Sequence, residues 1–82
     1  MTSIEMVKHA LKALEDKKAQ DIQVLRIETV TTLADYFIIC TGSSNTHIRT
    51  LQEEVEHQLE VNGERPHHIE GHGSGTWVLM DY

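Results

Sequence analysis

A glycine-serine turn followed by an acid pair is the first pattern in this sequence that could carry chemistry. Gly42-Ser43 precedes Glu54 and Glu56, and nucleotidyl-transferring enzymes use such a turn with two carboxylates to hold a divalent metal ion against a triphosphate. Two carboxylates at i and i+2 share a face on a strand. The surrounding residues predict a helix, where these positions diverge by about 200°. We therefore expect solvated acids on either side of buried Val55, which cannot share a metal ion. The alternative, a metal-dependent nucleotidyltransferase, requires carboxylates converging near Gly42-Ser43.

A histidine cluster near the end of the chain is the second pattern, and it suggests a metal site. It comprises His67, His68 and His72. Adjacent residues on a strand point to opposite faces, and no cysteine lies nearby to complete a structural zinc site. We expect surface histidines, with His68 and His72 flanking a turn as the pair best placed to capture a metal. No metal or cofactor is predicted.

The glycine-rich loop and the single cysteine are two further candidates for chemistry. Gly71, Gly73 and Gly75 resemble a phosphate-binding loop in composition, but such loops open a helix and this one joins two predicted strands. Cys40 lies in an apolar strand, where burial raises the pKa of a thiol and lowers its reactivity. We expect a hairpin loop and an unreactive thiol.

The end of the chain carries a pattern typical of a binding surface. From residue 77 to 82 the side chains alternate between the two faces of a predicted strand. One face carries Trp77, Leu79 and Asp81, and the other carries Val78, Met80 and Tyr82. Tryptophan is enriched at binding hot spots, and a neighbouring carboxylate suits a basic partner. The alternative that Trp77 fills the core stays open. Asp35 and Tyr36, at the start of an earlier strand, form a second candidate.

The elements that must position these residues are predicted in the order α-β-β-α-β-β. Thr2-Ser3-Ile4-Glu5 has the pattern of a capping box and predicts a helix start. A second helix follows Gly42-Ser43-Ser44-Asn45 and ends near Asn62-Gly63. Apolar residues at helical spacing mark the buried stripe of each helix. The stripes are Val7, Ala10, Leu11 and Leu14 in the first helix, and Ile48, Leu51, Val55 and Leu59 in the second.

Four strands are predicted at 22–27, at 36–41, around 68–70 and at 77–80. The continuous apolar run at 36–41 is typical of a central strand covered on both faces. A crossover through the second helix is right-handed if the strands that it joins are parallel. The sequence therefore predicts one small α/β domain, with two helices packed on a mixed sheet.

Composition limits the classes of partner. The 82 residues suffice for one core, and 39% hydrophobic and 24% charged residues are typical of a globular domain. The net charge of −6 disfavours nucleic acid and anionic membranes and favours a basic protein. A single cysteine excludes an intramolecular disulfide and indicates a reducing compartment. No targeting or membrane-spanning segment is recognised, so we expect a cytoplasmic protein.

Three segments closely resemble the ribosomal silencing factor family, also called the Iojap-like family. They are Ala13-Leu14-Glu15-Asp16-Lys17-Lys18-Ala19, the run from Leu33-Ala34-Asp35-Tyr36-Phe37 through Ile38-Ile39-Cys40-Thr41-Gly42, and Glu70-Gly71 with Trp77-Val78-Leu79-Met80-Asp81-Tyr82. The resemblance covers nearly the whole chain, and the run from Ala34 to Gly42 is its most specific part.

The resemblance implies a nucleotidyltransferase-like topology without established transferase activity, so we expect a protein that is not an enzyme. It also implies a translation repressor that binds the large ribosomal subunit through ribosomal protein number fourteen and sterically blocks the small subunit. By family analogy the partner surface comprises Trp77, Leu79, Asp81, Tyr82, Asp35 and Tyr36. In this reading Trp77 supplies apolar contact area and Asp81 pairs with basic side chains.

The sequence departs from the family pattern at its end. Family members continue past the Asp-Tyr pair with Gly-Asp, another apolar strand and a further segment, whereas this sequence stops at Tyr82. We therefore expect residues 1–82 to form a single domain that lacks the family's C-terminal strand and tail. Loss of that strand would leave the last strand as an exposed edge, which favours homodimers or aggregation.

Overall fold

The computed structural model describes residues 1–28 and 34–82. In this part of the chain the elements are α1 (Ser3–Asp16), β1 (Gln20–Glu28), β2 (Ala34–Thr41), α2 (Asn45–Val61), β3 (His68–Glu70) and β4 (Leu79–Asp81). The predicted α/β class and the α-β-β-α-β-β order are confirmed. The last strand begins two residues later than predicted, at Leu79 instead of Trp77.

The two helices supply the buried core. The buried hydrophobic residues of the described chain are Val7, Ala10, Ala13 and Leu14 from α1, and Leu51, Val55 and Leu59 from α2. The stripe of α2 is as predicted, except that Ile48 is half-buried at its end. In α1 the buried stripe is rotated toward Ala13, which is completely buried, while Leu11 is half-buried. Ala13 belongs to the same buried cluster as Leu51, Val55 and Leu59 of α2.

Each helix begins at a hydroxyl cap, as its sequence predicts. The Thr2 hydroxyl accepts a hydrogen bond from the Glu5 amide at 3.2 Å, and the Ser44 hydroxyl accepts one from the His47 amide at 3.0 Å. These bonds satisfy amides that have no partner within the helix. They fix where α2 starts, directly after β2.

A histidine ties the start of α2 to the end of α1. The Ser43 amide donates to His47 Nδ1 at 2.8 Å, so the ring proton lies on the other nitrogen. His47 Nε2 then donates to the Lys17 carbonyl at 2.7 Å. This bridge crosses between the two helices, and it helps to hold their packing.

The strands form two sheets in the described residues. β1 pairs with β2, and β3 pairs with β4, both antiparallel. The expected single mixed sheet is therefore wrong for these residues, because no hydrogen bond joins β2 to β4 across the space between them. The connection through α2 joins two sheets and makes no crossover between neighbouring parallel strands.

The prediction that the second strand is central and covered on both faces is also wrong for the described residues. Ile38 and Cys40 pack against the helical core, but Phe37 and Ile39 on the opposite face are 56% and 54% exposed. β2 pairs with β1 on one edge only, with Leu25 opposite Phe37. Within the described residues, no second layer of structure covers the outer face of this apolar strand.

Candidate functional site

The alternation predicted for the end of the chain is confirmed. Trp77, Leu79 and Asp81 are exposed, while the residues between and after them, Val78, Met80 and Tyr82, are half-buried. Met80 and Tyr82 pack against the helical core. Trp77 is 52% exposed, so the alternative in which it fills the core is wrong. The side chain best suited to a binding hot spot is thus accessible.

Gly71 sets the position of the Trp77 ring. A Cβ atom built on Gly71 would lie 2.4 Å from Trp77 Cε3, and φ of Gly71 is +79°. The indole ring therefore lies directly on the Gly71 backbone, in a conformation that residues with a side chain rarely adopt. Sequence reasoning treated Gly71 as part of a hairpin loop and missed this role.

Ser74 organises the loop that delivers Trp77. Its hydroxyl donates to the Gly71 carbonyl at 2.8 Å and accepts from the amides of Thr76 at 3.2 Å and Trp77 at 3.4 Å. Because these bonds hold residues 74–77 in a turn, Trp77 precedes the strand instead of starting it. The loop also contacts α2, since a Cβ atom on Gly75 would lie 3.2 Å from Asn45 Nδ2.

Two residues of β3 share the exposed face with the tryptophan. His68 lies opposite Asp81, and Glu70 lies opposite Leu79. Side chains that are directly opposite in an antiparallel pair lie on the same face. We call the exposed set Trp77, Leu79, Asp81, His68 and Glu70 the tryptophan face. Its two carboxylates give it an acidic character.

The imidazole of His68 is engaged on this face by an acid. His68 Nε2 lies 2.8 Å from Glu70 Oε1, so the histidine considered above as a metal ligand makes a contact within the tryptophan face. The part of the chain that the structure describes contains no group of three histidine, cysteine or acidic side chains arranged to hold a metal ion.

Tyr82 lies apart from the tryptophan face. Its ring packs against the helical core, and within the described residues its buried hydroxyl has no hydrogen-bond partner. Burial, with smaller contributions from the charges of Glu56 and Glu60, raises the pKa of Tyr82 to about 12. The predicted partner residue Tyr82 is therefore positioned behind the face formed by Trp77 and Leu79.

A groove between β2 and β4 gathers most of the predicted partner residues. Its volume is about 1180 Å³. Five of the six predicted residues line it, namely Tyr36, Trp77, Leu79, Asp81 and Tyr82. The side chain of the sixth, Asp35, lies outside the described residues. Phe37 and Ile39 also line the groove, and sequence reasoning missed them because it assigned them to a covered strand.

The acid pair that suggested metal chemistry lies on α2, as predicted. Glu54 Oε1 accepts a hydrogen bond from Gln58 at 3.1 Å, and Glu56 Oε1 accepts one from Gln52 at 2.9 Å. The two glutamates therefore contact residues in opposite directions along the helix. The Ser43 amide donates to His47, so this turn is used in starting α2.

The cysteine is placed as its sequence context predicts. Cys40 is half-buried and packs against the helical core. Burial raises the pKa of its thiol above the ordinary value, which lowers the fraction of reactive thiolate at neutral pH.

No helix in the described residues has both the length and the apolar composition that crossing a bilayer requires.

Comparison with known proteins identifies the family. The family model described as "Ribosomal silencing factor during starvation" matches residues 1–82. The ribosomal silencing factor RsfS of Bacillus subtilis is 36% identical over 81 residues, which are 99% of this chain and 69% of that protein. RsfS of Chromobacterium violaceum is 40% identical over 77 residues, which are 94% of this chain and 63% of that protein.

A solved structure agrees with both the fold and the sequence match. A crystal structure of a Chromobacterium violaceum protein has a TM-score of 0.88 and 40% identity, and the match covers 99% of this chain and 68% of that chain. The family model, the relatives and the solved structure therefore agree with one another. The chain belongs to the ribosomal silencing factor family.

Proposed function

We propose that this protein represses translation by binding the large ribosomal subunit through ribosomal protein number fourteen and blocking association with the small subunit. The relatives are named as silencing factors and not as enzymes, so the proposed action is binding alone, in the cytoplasm where ribosomal subunits meet. The main support for the proposal is the tryptophan face. There Trp77 packs against Gly71, is half-exposed, and shares the face with the carboxylates of Asp81 and Glu70.

The chemistry of this face favours a basic protein over RNA. The chain has a net charge of −6, and phosphates would be repelled by Asp81 and Glu70. Lysine and arginine side chains of a ribosomal protein would pair with these two carboxylates at the rim of the contact. Trp77 and Leu79 would supply the apolar centre, since aromatic anchors surrounded by polar residues account for most of the binding energy in such interfaces.

A steric mechanism requires no catalytic group. A bound domain of this size occupies the surface that it covers, and a subunit that needs the same surface is excluded. The effect on translation then depends on the affinity of the domain for the large subunit and on its concentration. The acid pair on α2 has no part in this mechanism, and its hydrogen bonds to glutamine side chains agree with a surface role.

Co-sedimentation with purified large subunits tests the proposed interface. We expect Trp77→Ala to lower the affinity by about 30-fold, which corresponds to about 2 kcal/mol for a hot-spot aromatic residue. We expect Asp81→Lys to lower it by about 5-fold to 10-fold, because a repulsive charge then faces a basic partner. Neither residue belongs to the buried helical core, so we expect both variants to keep the fold, which circular dichroism checks.

Matched controls lie on α2. Val61 is an apolar residue that is 63% exposed, and Glu53 is an exposed acid. Val61→Ala removes an exposed apolar side chain and Glu53→Lys reverses an exposed charge, both away from the tryptophan face. We expect both variants to bind with the wild-type affinity. Equal loss of binding in Glu53→Lys and Asp81→Lys would show that net charge alone drives the association. Wild-type affinity in both Trp77→Ala and Asp81→Lys would place the interface elsewhere.

A further inference from the structure

The loop that carries Trp77 is held together by its own hydrogen bonds. Ser74 Oγ donates to the Gly71 carbonyl at 2.8 Å, and the Ser74 amide donates to the same carbonyl at 2.9 Å. Ser74 Oγ also lies 3.3 Å from the Trp77 carbonyl and accepts from the Trp77 amide at 3.4 Å. Because one side chain ties both ends of the loop together, we expect residues 71–77 to move as a unit and to carry the ring of Trp77 with them.

This loop lies against the first residue of α2. A Cβ atom built on Gly75 would lie 3.2 Å from Asn45 Nδ2 and 3.3 Å from Asn45 Cγ, so the loop backbone approaches the side-chain amide of Asn45 closely. Gly75 has a φ of +77°, a conformation that glycine adopts without strain. The contact therefore depends on the absence of a side chain at Gly75 and on the presence of one at Asn45.

The start of α2 is itself fixed to both helices. Ser44 Oγ accepts a hydrogen bond from the His47 amide at 3.0 Å and caps α2. The His47 ring accepts from the Ser43 amide at 2.8 Å through Nδ1, and its Nε2 lies 2.7 Å from the Lys17 carbonyl at the end of α1. Asn45 follows directly after the cap, so it projects from a turn that is held on two sides. It is a fixed point against which the loop can be placed.

We propose that Asn45 is a positioning residue for Trp77 and that it acts through Gly75. Contact with Asn45 sets where the loop lies, and the loop sets where the indole ring lies on Gly71. A ring that is already held in its bound position binds more tightly, because ordering a free loop during binding costs free energy. The consequence for affinity rests on the proposed function, whereas the positioning of Trp77 in the free protein does not.

The competing explanation is that strand pairing alone holds the loop. Residues 71–78 join β3 to β4, and the pair nearest to the loop is Glu70 with Leu79. Each of these strands has only 3 residues, and an isolated two-stranded sheet is at best marginally stable in water. Trp77 also lies before β4 begins, outside the paired residues. Strand pairing is therefore a weak restraint on Trp77, and the contact with α2 supplies a second one.

Fluorescence of the free protein tests the positioning, because Trp77 is the single tryptophan. Asn45→Ala removes the amide group that meets Gly75. Alanine is a good helix former, so we expect this variant to keep α2 and the urea midpoint of the wild type. We expect the emission maximum of Trp77 to shift and its quenching by acrylamide to become stronger, because the loop has lost one of its two restraints. A residue that served only the stability of α2 would change neither property of the ring.

Co-sedimentation with purified large ribosomal subunits measures the consequence for binding. We expect Asn45→Ala to weaken binding by about 3-fold, as for a contact that acts through a neighbour. We expect Gly75→Ala to weaken it by about 10-fold, because the new methyl group meets the Asn45 amide and alanine is strained at positive φ. In the double variant the methyl group enters the space that the amide leaves. Its loss of affinity should therefore be about 10-fold, and not the product of about 30-fold.

Gly73→Ala is the matched control in the same loop, since a Cβ atom there meets nothing within 4 Å. Its effects should be small and should be the same with and without Asn45→Ala. Wild-type fluorescence and quenching in Asn45→Ala would overturn the proposal, and so would losses of affinity that multiply fully in the double variant. If the wild type does not bind large subunits, the proposed function is wrong, and the fluorescence of Asn45→Ala still decides whether Asn45 positions Trp77.

Discussion

The contact between Trp77 and Gly71 shows how one residue without a side chain can position an exposed aromatic ring. The ring needs the space that a Cβ atom would fill, at 2.4 Å from Trp77 Cε3. It also needs the positive φ of Gly71, which glycine adopts without strain. The exposed area of the tryptophan therefore depends on a neighbour that contributes no contact to a partner.

Gly71→Ala tests this dependence. We expect the variant to lose about 1–2 kcal/mol of folding stability, because alanine is strained at positive φ, and to displace the ring. The protein has a single tryptophan, so a shift in its fluorescence reports the displacement directly. Gly73→Ala is the matched control, since a Cβ atom there meets nothing within 4 Å. Identical spectra for the two variants would contradict the contact.

Tyr82 gives the protein a stability change at high pH. Its pKa is raised to about 12 in the folded state, whereas an unfolded tyrosine ionises near 10. Between these values the folded state binds more protons than the unfolded state, so stability falls as the pH rises from about 10 to about 12. Below about 10 the contribution is fully present.

Tyr82→Phe removes this pH dependence. We expect the variant to be equal to the wild type, or up to about 1 kcal/mol more stable, at neutral pH, because the substitution deletes a buried hydroxyl without a partner. Urea unfolding of both proteins at intervals from pH 9 to 12 is the measurement. The wild type should lose stability that the variant keeps, and parallel curves would show that Tyr82 does not ionise differently on unfolding.

At the scale of elements, the packing of α1 on α2 holds the molecule together. Leu59 is 1% exposed in the centre of that contact. Leu59→Ala should lower the free energy of unfolding by about 3 kcal/mol through lost burial and a residual cavity. Val61→Ala, two residues away on the same helix and 63% exposed, should change it by less than about 0.5 kcal/mol. Similar urea midpoints for the two variants would contradict this core.

Local signals explain why the element order was predictable. Both helix starts carry a hydroxyl cap, at Thr2 and Ser44, and the apolar spacing of Leu51, Val55 and Leu59 fixes the buried face of α2. The alternation from Trp77 to Tyr82 also predicted which side chains are exposed. These features depend on residues close in sequence, so the sequence alone indicates them.

Features that depend on distant residues were not predictable. The apolar run at 36–41 predicts that Phe37 and Ile39 are buried, but such a run does not show whether a second layer of structure is present to cover them. The space between β2 and β4 depends on which strands meet, and strand pairing is set by contacts far apart in sequence. The sequence predicts that Gly71 lies in a loop, but it does not show the contact with Trp77, because that contact forms only when the loop folds back.

At the scale of the whole molecule, the distribution of charge supports the proposed basic partner. The net charge of −6 has a local counterpart in Asp81 and Glu70 on the tryptophan face. The helical core lies on the opposite side of β4, where Met80 and Tyr82 pack. One side of this strand therefore packs against the core, and the other is exposed and forms part of the proposed interface.

The most direct measurement of the proposed mechanism is a subunit-joining assay. Purified large subunits are incubated with the protein, small subunits are added, and light scattering records formation of joined ribosomes. The protein should lower the joined fraction in proportion to its occupancy of large subunits, and Trp77→Ala should restore joining at the same concentration. Undiminished joining by large subunits that demonstrably carry the bound protein would contradict the steric mechanism.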